Sequence, residues 1–121
     1  TAVISILLLV VFGTALHHHA TIGAFAAWAA EQSVPIVAID NIEGSVPIER
    51  TSLPRECVLL FGQEGPGLSP DASAAASMTC AITQFGSTRS LNAGVASGIA
   101  MYEWARQHVP GPDMVSVRFS E

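Results

Sequence analysis

Two loops in this sequence carry the residue types that could do chemistry. In the first, VLLFGQEGPGLSP at residues 58 to 70, three glycines surround Glu64 just after an apolar run. Gly62, Gly65 and Gly67 would let backbone amides and carbonyls approach a ligand closely. A carboxylate just past a buried strand must be hydrogen-bonded or functional, so Glu64 either binds loop amides or takes part in a reaction. The chain has no lysine, which excludes a phosphate loop of the GxxxxGK[ST] type.

The second loop, STRSLNAG at residues 87 to 94, gathers hydroxyls, an arginine and an asparagine directly ahead of a predicted helix. Ser90 or Asn92 could cap that helix, and Arg89 together with the helix N-terminus could bind an anion. Ligands of a parallel α/β sheet bind beyond the carboxyl ends of its strands. Because both loops follow predicted strands, we expect them to face one pocket.

Taken together, the two loops resemble a known family. FGQEGPGLS resembles the FGxExxGLS signature, and ITQFGSTRSLNAGVA resembles the I-x(7)-SLN-x-x-x-A signature, of the SpoU (TrmH-like) RNA 2'-O-methyltransferases in the SPOUT superfamily. The match covers residues 57 to 106 in the right order and spacing. It implies an α/β fold with a C-terminal trefoil knot, an exception to the near absence of knots in proteins.

The same resemblance implies a homodimer that binds S-adenosylmethionine in the knot and methylates a ribose 2'-hydroxyl of tRNA or rRNA. The positions that it assigns to the cofactor are Ile39, Gly62, Ile82 and Leu91. The glycines would then clear space for the adenosine. No metal site is expected.

Carried over by position, the resemblance makes Glu64, Ser90 and Asn92 the catalytic residues. Glu64 and Asn92 would hold the two loops in register, while Ser90 and Arg89 would meet the RNA phosphate or ribose. In-line placement of the hydroxyl and the methyl group can contribute about 7–11 kcal/mol. A ribose hydroxyl is a poor nucleophile, so some group should accept its proton, and Glu64 is the carboxylate best placed by sequence.

Two departures from the family pattern concern activity. The motif N-x-G-x-x-x-R-x-A, whose arginine is implicated in activating the hydroxyl, has no counterpart before residue 57, and the fold is expected to lack the first βα unit. Ala93-Gly94 also follows SLN where the family often has a β-branched residue and serine. The alternative to an enzyme is therefore a non-catalytic paralogue that binds the cofactor or RNA.

Apolar runs and helical spacing alternate along the chain and must position these loops. Residues 41 to 54, with two prolines and a glycine, are predicted to be a loop. Strands alternating with helices predict an α/β sandwich with a mostly parallel sheet. The predicted strands are 3–12, 35–40, 57–61 and 78–83, and the predicted helices are 21–32, a short one from Pro70 after a Ser69 cap, and 91–108.

Two helices have a face that indicates what they pack against. In the first, Ile22, Phe25, Ala26 and Ala29 share one face behind a Thr21 cap. The last helix has helical spacing through Leu91, Val95, Ile99 and Tyr102. It also carries Gly94 and Gly98, and this small-residue face predicts close contact with another backbone, in the same chain or in a second subunit.

Composition bounds the remaining possibilities. A length of 121 residues indicates a single domain, 1–121. A composition with 50% hydrophobic and only 12% charged residues favours a well-covered core or a subunit interface. The net charge is −5 and every basic residue counted is arginine, so binding of RNA would have to depend on a local patch or a dimer groove.

Cys57 and Cys80 lie in apolar contexts without CxxC spacing, so we interpret them as reduced core thiols of a cytoplasmic protein. The apolar run at 3–12 is too short for a membrane helix of about 20 residues. Three consecutive histidines, 17 to 19, would point in different directions and are not expected to bind a metal. Trp28 and Trp104 are expected in the core or an interface.

Overall fold

The computed structural model describes residues 19–62, 67–85 and 93–109. Within them, strands and helices alternate as the sequence predicts, and the chain forms a parallel α/β fold. The elements are α1 (Ile22–Glu31), β1 (Ile36–Ile39), β2 (Val46–Pro47), a 3-10 helix (Ile48–Arg50), β3 (Val58–Phe61), α2 (Pro70–Ala75), β4 (Met78–Ala81) and α3 (Ala93–His108). The predicted strand at 3–12 lies outside the described residues.

The four strands form one sheet in the order β2-β4-β1-β3, and all three pairings are parallel. β1 lies at the centre, with β3 on one side and β4 on the other. Ile39, the last residue of β1, pairs with Phe61 of β3 and Cys80 of β4. The three strands therefore end at nearly the same level, and the segments that follow them leave the same edge of the sheet.

Helices cover both faces of the sheet because side chains alternate along each strand. On one face, Val37, Ile39, Leu59 and Cys80 pack with Ala100 and Trp104 of α3 and with Ile48 and Leu53. On the other face, Ile36, Val58 and Leu60 pack with Phe25 and Ala29 of α1 and Ala72 of α2. The described part of the fold is thus three layers, α/β/α.

Local signals set the starts of α1 and α2, as predicted. The Thr21 hydroxyl accepts a hydrogen bond from the Ala24 amide at 3.0 Å, and the Ser69 hydroxyl accepts one from the Ala72 amide at 3.2 Å. Pro70 then occupies the first turn of α2, where its missing N–H costs nothing.

The prediction that residues 41 to 54 form only a loop is wrong in part. Val46 and Pro47 pair with Cys80 and Ala81 of β4, and a 3-10 helix follows at once. Proline is tolerated here because β2 lies at the edge of the sheet formed by the described strands, where a backbone donor can be missing without breaking an inner ladder.

The face by which α3 packs also differs from the apolar row seen in the sequence. Val95, Ile99 and Tyr102 are 53%, 39% and 72% exposed, whereas Ala100 and Trp104 are buried against the sheet. The row was still a correct sign of a helix, because its period is that of an α-helix. Which face of α3 is buried depends on how its side chains pack against those of the sheet.

A polar cluster fastens the C-terminal half of α3 to residues 51 to 55. The Gln107 side chain accepts from the Leu53 amide at 2.8 Å and donates to the Thr51 carbonyl at 2.9 Å. The Trp104 indole N–H donates to the carbonyls of Pro54 and Arg55, at 3.2 and 3.1 Å, and His108 Nε2 donates to the Leu53 carbonyl at 2.7 Å. These bonds satisfy the backbone of a segment that belongs to no strand.

Within the same cluster, Glu103 is buried but not isolated. Its carboxylate accepts two hydrogen bonds from Arg106, at 2.6 and 2.9 Å, and one from Gln107 at 3.0 Å. The bond from Arg106 is the main reason that the pKa of Glu103 is lowered from its usual value.

Both cysteines are free thiols, as predicted. Cys80 is buried in the core and Cys57 is half-buried beside it. Burial raises the pKa of the Cys57 thiol to about 11 and also raises the pKa of Cys80. Both side chains are therefore uncharged at neutral pH.

Candidate functional site

Three of the predicted cofactor positions lie at the carboxyl edge, the name given to the last residues of β1, β3 and β4 and the residues that directly follow them. Ile39 ends β1, Gly62 directly follows β3, and Ile82 directly follows β4. Ile39 is in register with Phe61 and with Cys80, on two strands that each lie about 5 Å from β1. Gly62 and Ile82 follow these two partners by one and two residues, on opposite sides of Ile39. This is the place where an open parallel sheet binds ligands.

The remaining predicted site residues are outside the described part of the chain. They are Glu64, Arg89, Ser90, Leu91 and Asn92. Their roles stay predictions. What the structure describes is the base from which their loops start and to which they return.

The base of the first loop is closed by direct backbone packing at Gly62. A Cβ atom on Gly62 would lie 2.2 Å from the Gly67 carbonyl carbon and 2.4 Å from the Leu68 nitrogen. Only glycine allows the two ends of the loop to approach so closely. Gly62 therefore has a structural role that needs no ligand, because it lets the two ends of the loop pack against each other.

Asp40 is a residue of the carboxyl edge that the sequence interpretation missed. Its Oδ2 accepts a hydrogen bond from the Leu68 amide at 3.2 Å, and its Oδ1 accepts from the Asn41 amide at 2.8 Å. A signal was present, because Asp40 directly follows the apolar run PIVAI, as Glu64 follows a strand closely. The same rule about a carboxylate past a buried strand applied to both.

A second contact at this edge joins segments far apart in sequence. The Thr83 hydroxyl, just past Ile82, donates to the Glu49 carboxylate in the 3-10 helix. This bond is the main cause of the lowered pKa of Glu49. The bond connects the residues after β4 to the 3-10 helix after β2, and no local pattern in the sequence predicts it.

Two findings hold for the described residues alone. In residues 19–62, 67–85 and 93–109, no three histidine, cysteine or acidic side chains are grouped as they would be around a metal ion. No helix in those ranges is long and apolar enough to cross a membrane. His19 lies against the rings of Phe25 and Trp28, with centroids 5.8 and 5.4 Å away.

Comparison with known proteins identifies a family that matches most of the chain. The model of the SpoU rRNA Methylase family matches residues 10–102. The tRNA (guanosine(18)-2'-O)-methyltransferase of Escherichia coli (strain K12) is 34% identical over 89 residues, which are 74% of this chain and 39% of that protein. The chain therefore spans well under half the length of that relative.

Solved structures give the same similarity. The A. aeolicus TrmH/SpoU tRNA modifying enzyme has a TM-score of 0.64 at 30% identity, covering 72% of this chain and 44% of the other. An AdoMet-bound rRNA methyltransferase from Sinorhizobium meliloti has a TM-score of 0.61 at 29% identity, and the match covers 71% of this chain and 33% of the other.

Proposed function

This chain belongs to the SpoU rRNA methylase family, and from that premise we propose that it transfers a methyl group from S-adenosylmethionine to a ribose 2'-hydroxyl of tRNA or rRNA. The observation that carries the proposal is the family match across residues 10–102, which includes both signature loops and the carboxyl edge between them. The names of the Escherichia coli and Sinorhizobium meliloti proteins support the reaction and the cofactor respectively.

The carboxyl edge suits this cofactor. Ile39, Gly62 and Ile82 offer backbone groups at one level, and Leu91 would complete the set from the second loop. The carboxylate of Asp40 lies at this edge, and the carboxylate of Glu49, in the 3-10 helix, is hydrogen-bonded to Thr83 beside it. Carboxylates favour a cationic sulfonium over a phosphate-bearing cofactor, since like charges repel.

In the proposed reaction the residues of this chain position the ribose 2'-hydroxyl and remove its proton. S-adenosylmethionine, when bound, would supply the methyl group to the ribose oxygen and leave as S-adenosylhomocysteine, while the hydroxyl proton would pass to a base of this chain. Glu64 would hold the first loop and accept that proton, while Asn92 would hold the second. Ser90 and Arg89 would bind the ribose or phosphate of the RNA.

Two finer features belong to the same proposal: a trefoil knot in the C-terminal part, and a homodimer acting in the cytoplasm. Exposed Ile99 and Tyr102 on α3 support the dimer, since large apolar side chains in a row favour a partner surface. Gly98 supports it too: among the described residues, a Cβ there would meet nothing within 4 Å, so packing within that part of the chain does not require glycine.

The proposal is tested by cofactor binding and then by methyl transfer. Calorimetry should detect binding of S-adenosylmethionine, and labelled cofactor should mark bulk tRNA or bulk rRNA at ribose 2'-oxygens. Glu64→Ala should lower the transfer rate about 10²–10⁴-fold, the usual contribution of a positioned acid or base. The control is Glu31→Ala, which removes an exposed carboxylate at the end of α1.

Each outcome has a meaning. Failure of the parent protein to bind either the cofactor or S-adenosylhomocysteine would contradict the proposal. Binding without transfer to either RNA pool would favour the non-catalytic paralogue. Transfer by Glu64→Ala at the parental rate would remove Glu64 from the catalytic set.

A further inference from the structure

Asp40 joins two segments of the carboxyl edge that are 28 residues apart. Through Oδ2 its carboxylate accepts the amide hydrogen of Leu68, with a nitrogen–oxygen distance of 3.2 Å. Through Oδ1 it accepts the amide of Asn41 at 2.8 Å. The bond to Asn41 is local and fixes the orientation of the carboxylate. The bond to Leu68 is long-range and fixes the returning end of the first loop against the end of β1.

The loop is shaped to receive this carboxylate. Gly67 has a φ of +70°, and a Cβ atom there would lie 2.8 Å from Asp40 Oδ2. A side chain at residue 67 would therefore be strained by the backbone and would also push the carboxylate away. Glycine at this position lets the carboxylate sit over the loop.

The backbone that Asp40 binds also contacts Gly62. The Gly67–Leu68 backbone that Asp40 holds is the backbone against which Gly62 packs, at 2.2 to 2.6 Å from the place of a Cβ. Asp40, the Gly67–Leu68 backbone and Gly62 therefore lie in successive contact. Asp40 itself directly follows Ile39, so one side chain links two of the proposed cofactor positions.

We propose that Asp40 is a positioning residue for cofactor binding, which holds the base of the first loop so that the backbone of Gly62 faces the cofactor beside Ile39. This inference rests on the proposed function. A hydrogen bond to a charged acceptor is stronger than one between neutral groups, so this carboxylate is suited to hold the Gly67–Leu68 backbone against the end of β1.

The first experiment measures the contact without any cofactor. Hydrogen exchange by NMR should show the Leu68 amide exchanging about 10-fold faster in Asp40→Ala than in the parent, equivalent to about 1.4 kcal/mol. Amides of the central strand β1 should be unchanged. Unchanged exchange at Leu68 would overturn the proposal, because Asp40 would then not be holding the loop.

The second experiment measures affinity and rate. Asp40→Ala should raise both the calorimetric Kd and the KM for S-adenosylmethionine about 10-fold, equivalent to about 1.4 kcal/mol, with kcat at saturation nearly unchanged. Asp40→Asn, which keeps one acceptor oxygen, should recover part of the loss. Asp71→Ala, in the exposed first turn of α2, is the matched control and should bind as the parent does.

These readouts separate the two proposals. If the parent binds the cofactor and Asp40→Ala binds it equally well, the role of Asp40 is wrong and the proposed function stands. If the parent does not bind it, the proposed function falls, and the cofactor-positioning role falls with it. A loss of affinity that follows only from a lower folded fraction, read from the thermal midpoint, also overturns the positioning role.

Discussion

At the scale of single residues, Gly62 is the position where one added methyl group would disturb the candidate site most directly. Gly62→Ala would place a Cβ 2.2 Å from the Gly67 carbonyl carbon, and backbone cannot move aside as a flexible side chain can. We expect a loss of about 1–3 kcal/mol in the free energy of unfolding, as for other overpacked sites. Urea unfolding measures it.

The control for Gly62 is Gly23, an exposed glycine in the first turn of α1 whose added Cβ would meet only the Thr21 hydroxyl, at 3.9 Å. Gly23→Ala should be neutral or stabilising by up to about 1 kcal/mol, because alanine favours a helix more than glycine does. If Gly62→Ala were as stable as Gly23→Ala, the close packing of the loop base would be contradicted.

The raised pKa of Cys57 predicts how fast its thiol reacts at a given pH. Burial raises the pKa of its thiol from 9.0 to about 11, so at pH 8 its thiolate fraction should be about 100-fold below that of an ordinary thiol. Iodoacetamide should label Cys57 correspondingly slowly in the folded protein and quickly in urea, as mass spectrometry would detect. Labelling at the same rate in both states would contradict the burial of this thiol.

The same raised pKa affects stability in a defined window. Because the folded-state pKa lies above the unfolded value, the contribution of the neutral thiol is complete below pH 9. It is lost as the pH rises through about 11. Titration of Cys57 should therefore destabilise the fold in the alkaline range and leave neutral pH unaffected.

At the scale of elements, α3 depends on the polar cluster around Gln107. Gln107→Met keeps the length of the side chain but leaves the Leu53 amide and the Thr51 carbonyl without their partner. Each partly buried group left unsatisfied costs about 1–3 kcal/mol. For the two groups together we expect a loss of about 2–6 kcal/mol in urea unfolding, and a shift in the amide signals of residues 51 to 55.

The matched control is Gln32→Met at the exposed end of α1, where the cap is made by the backbone N–H. That change should alter the free energy of unfolding by less than about 0.5 kcal/mol. Equal effects of the two substitutions would mean that the bonds of Gln107 add nothing to the anchoring of α3.

At the scale of the whole molecule, the exposed row on α3 bears on subunit assembly. We expect the parent to sediment as a dimer and Tyr102→Glu to weaken that dimer about 10-fold or more, since a charge would be buried in an apolar interface. Ala27→Glu, on an exposed position of α1, is the control and should remain dimeric. A monomeric parent, or a dimeric Tyr102→Glu variant, would contradict this interface.

The sequence alone determined the features that depend on near neighbours in the chain. Apolar runs and helical spacing predicted β1, β3, β4, α1 and α3 closely, and the Thr21 and Ser69 caps were correct because capping acts within three residues. The two loop signatures indicated the family that the match over residues 10–102 supports. These signals are local, so they can be read without knowing what packs against them.

Only the tertiary structure decided which distant groups meet. Asp40 finds the Leu68 amide, Thr83 finds Glu49, and Gln107 finds Thr51 and Leu53, all across separations of 28 residues or more. It also decided that Ala100 and Trp104 of α3 face the sheet while Ile99 and Tyr102 face outward. The physical reason is that such contacts depend on strand register and layer packing, which place chain segments together irrespective of their distance along the sequence.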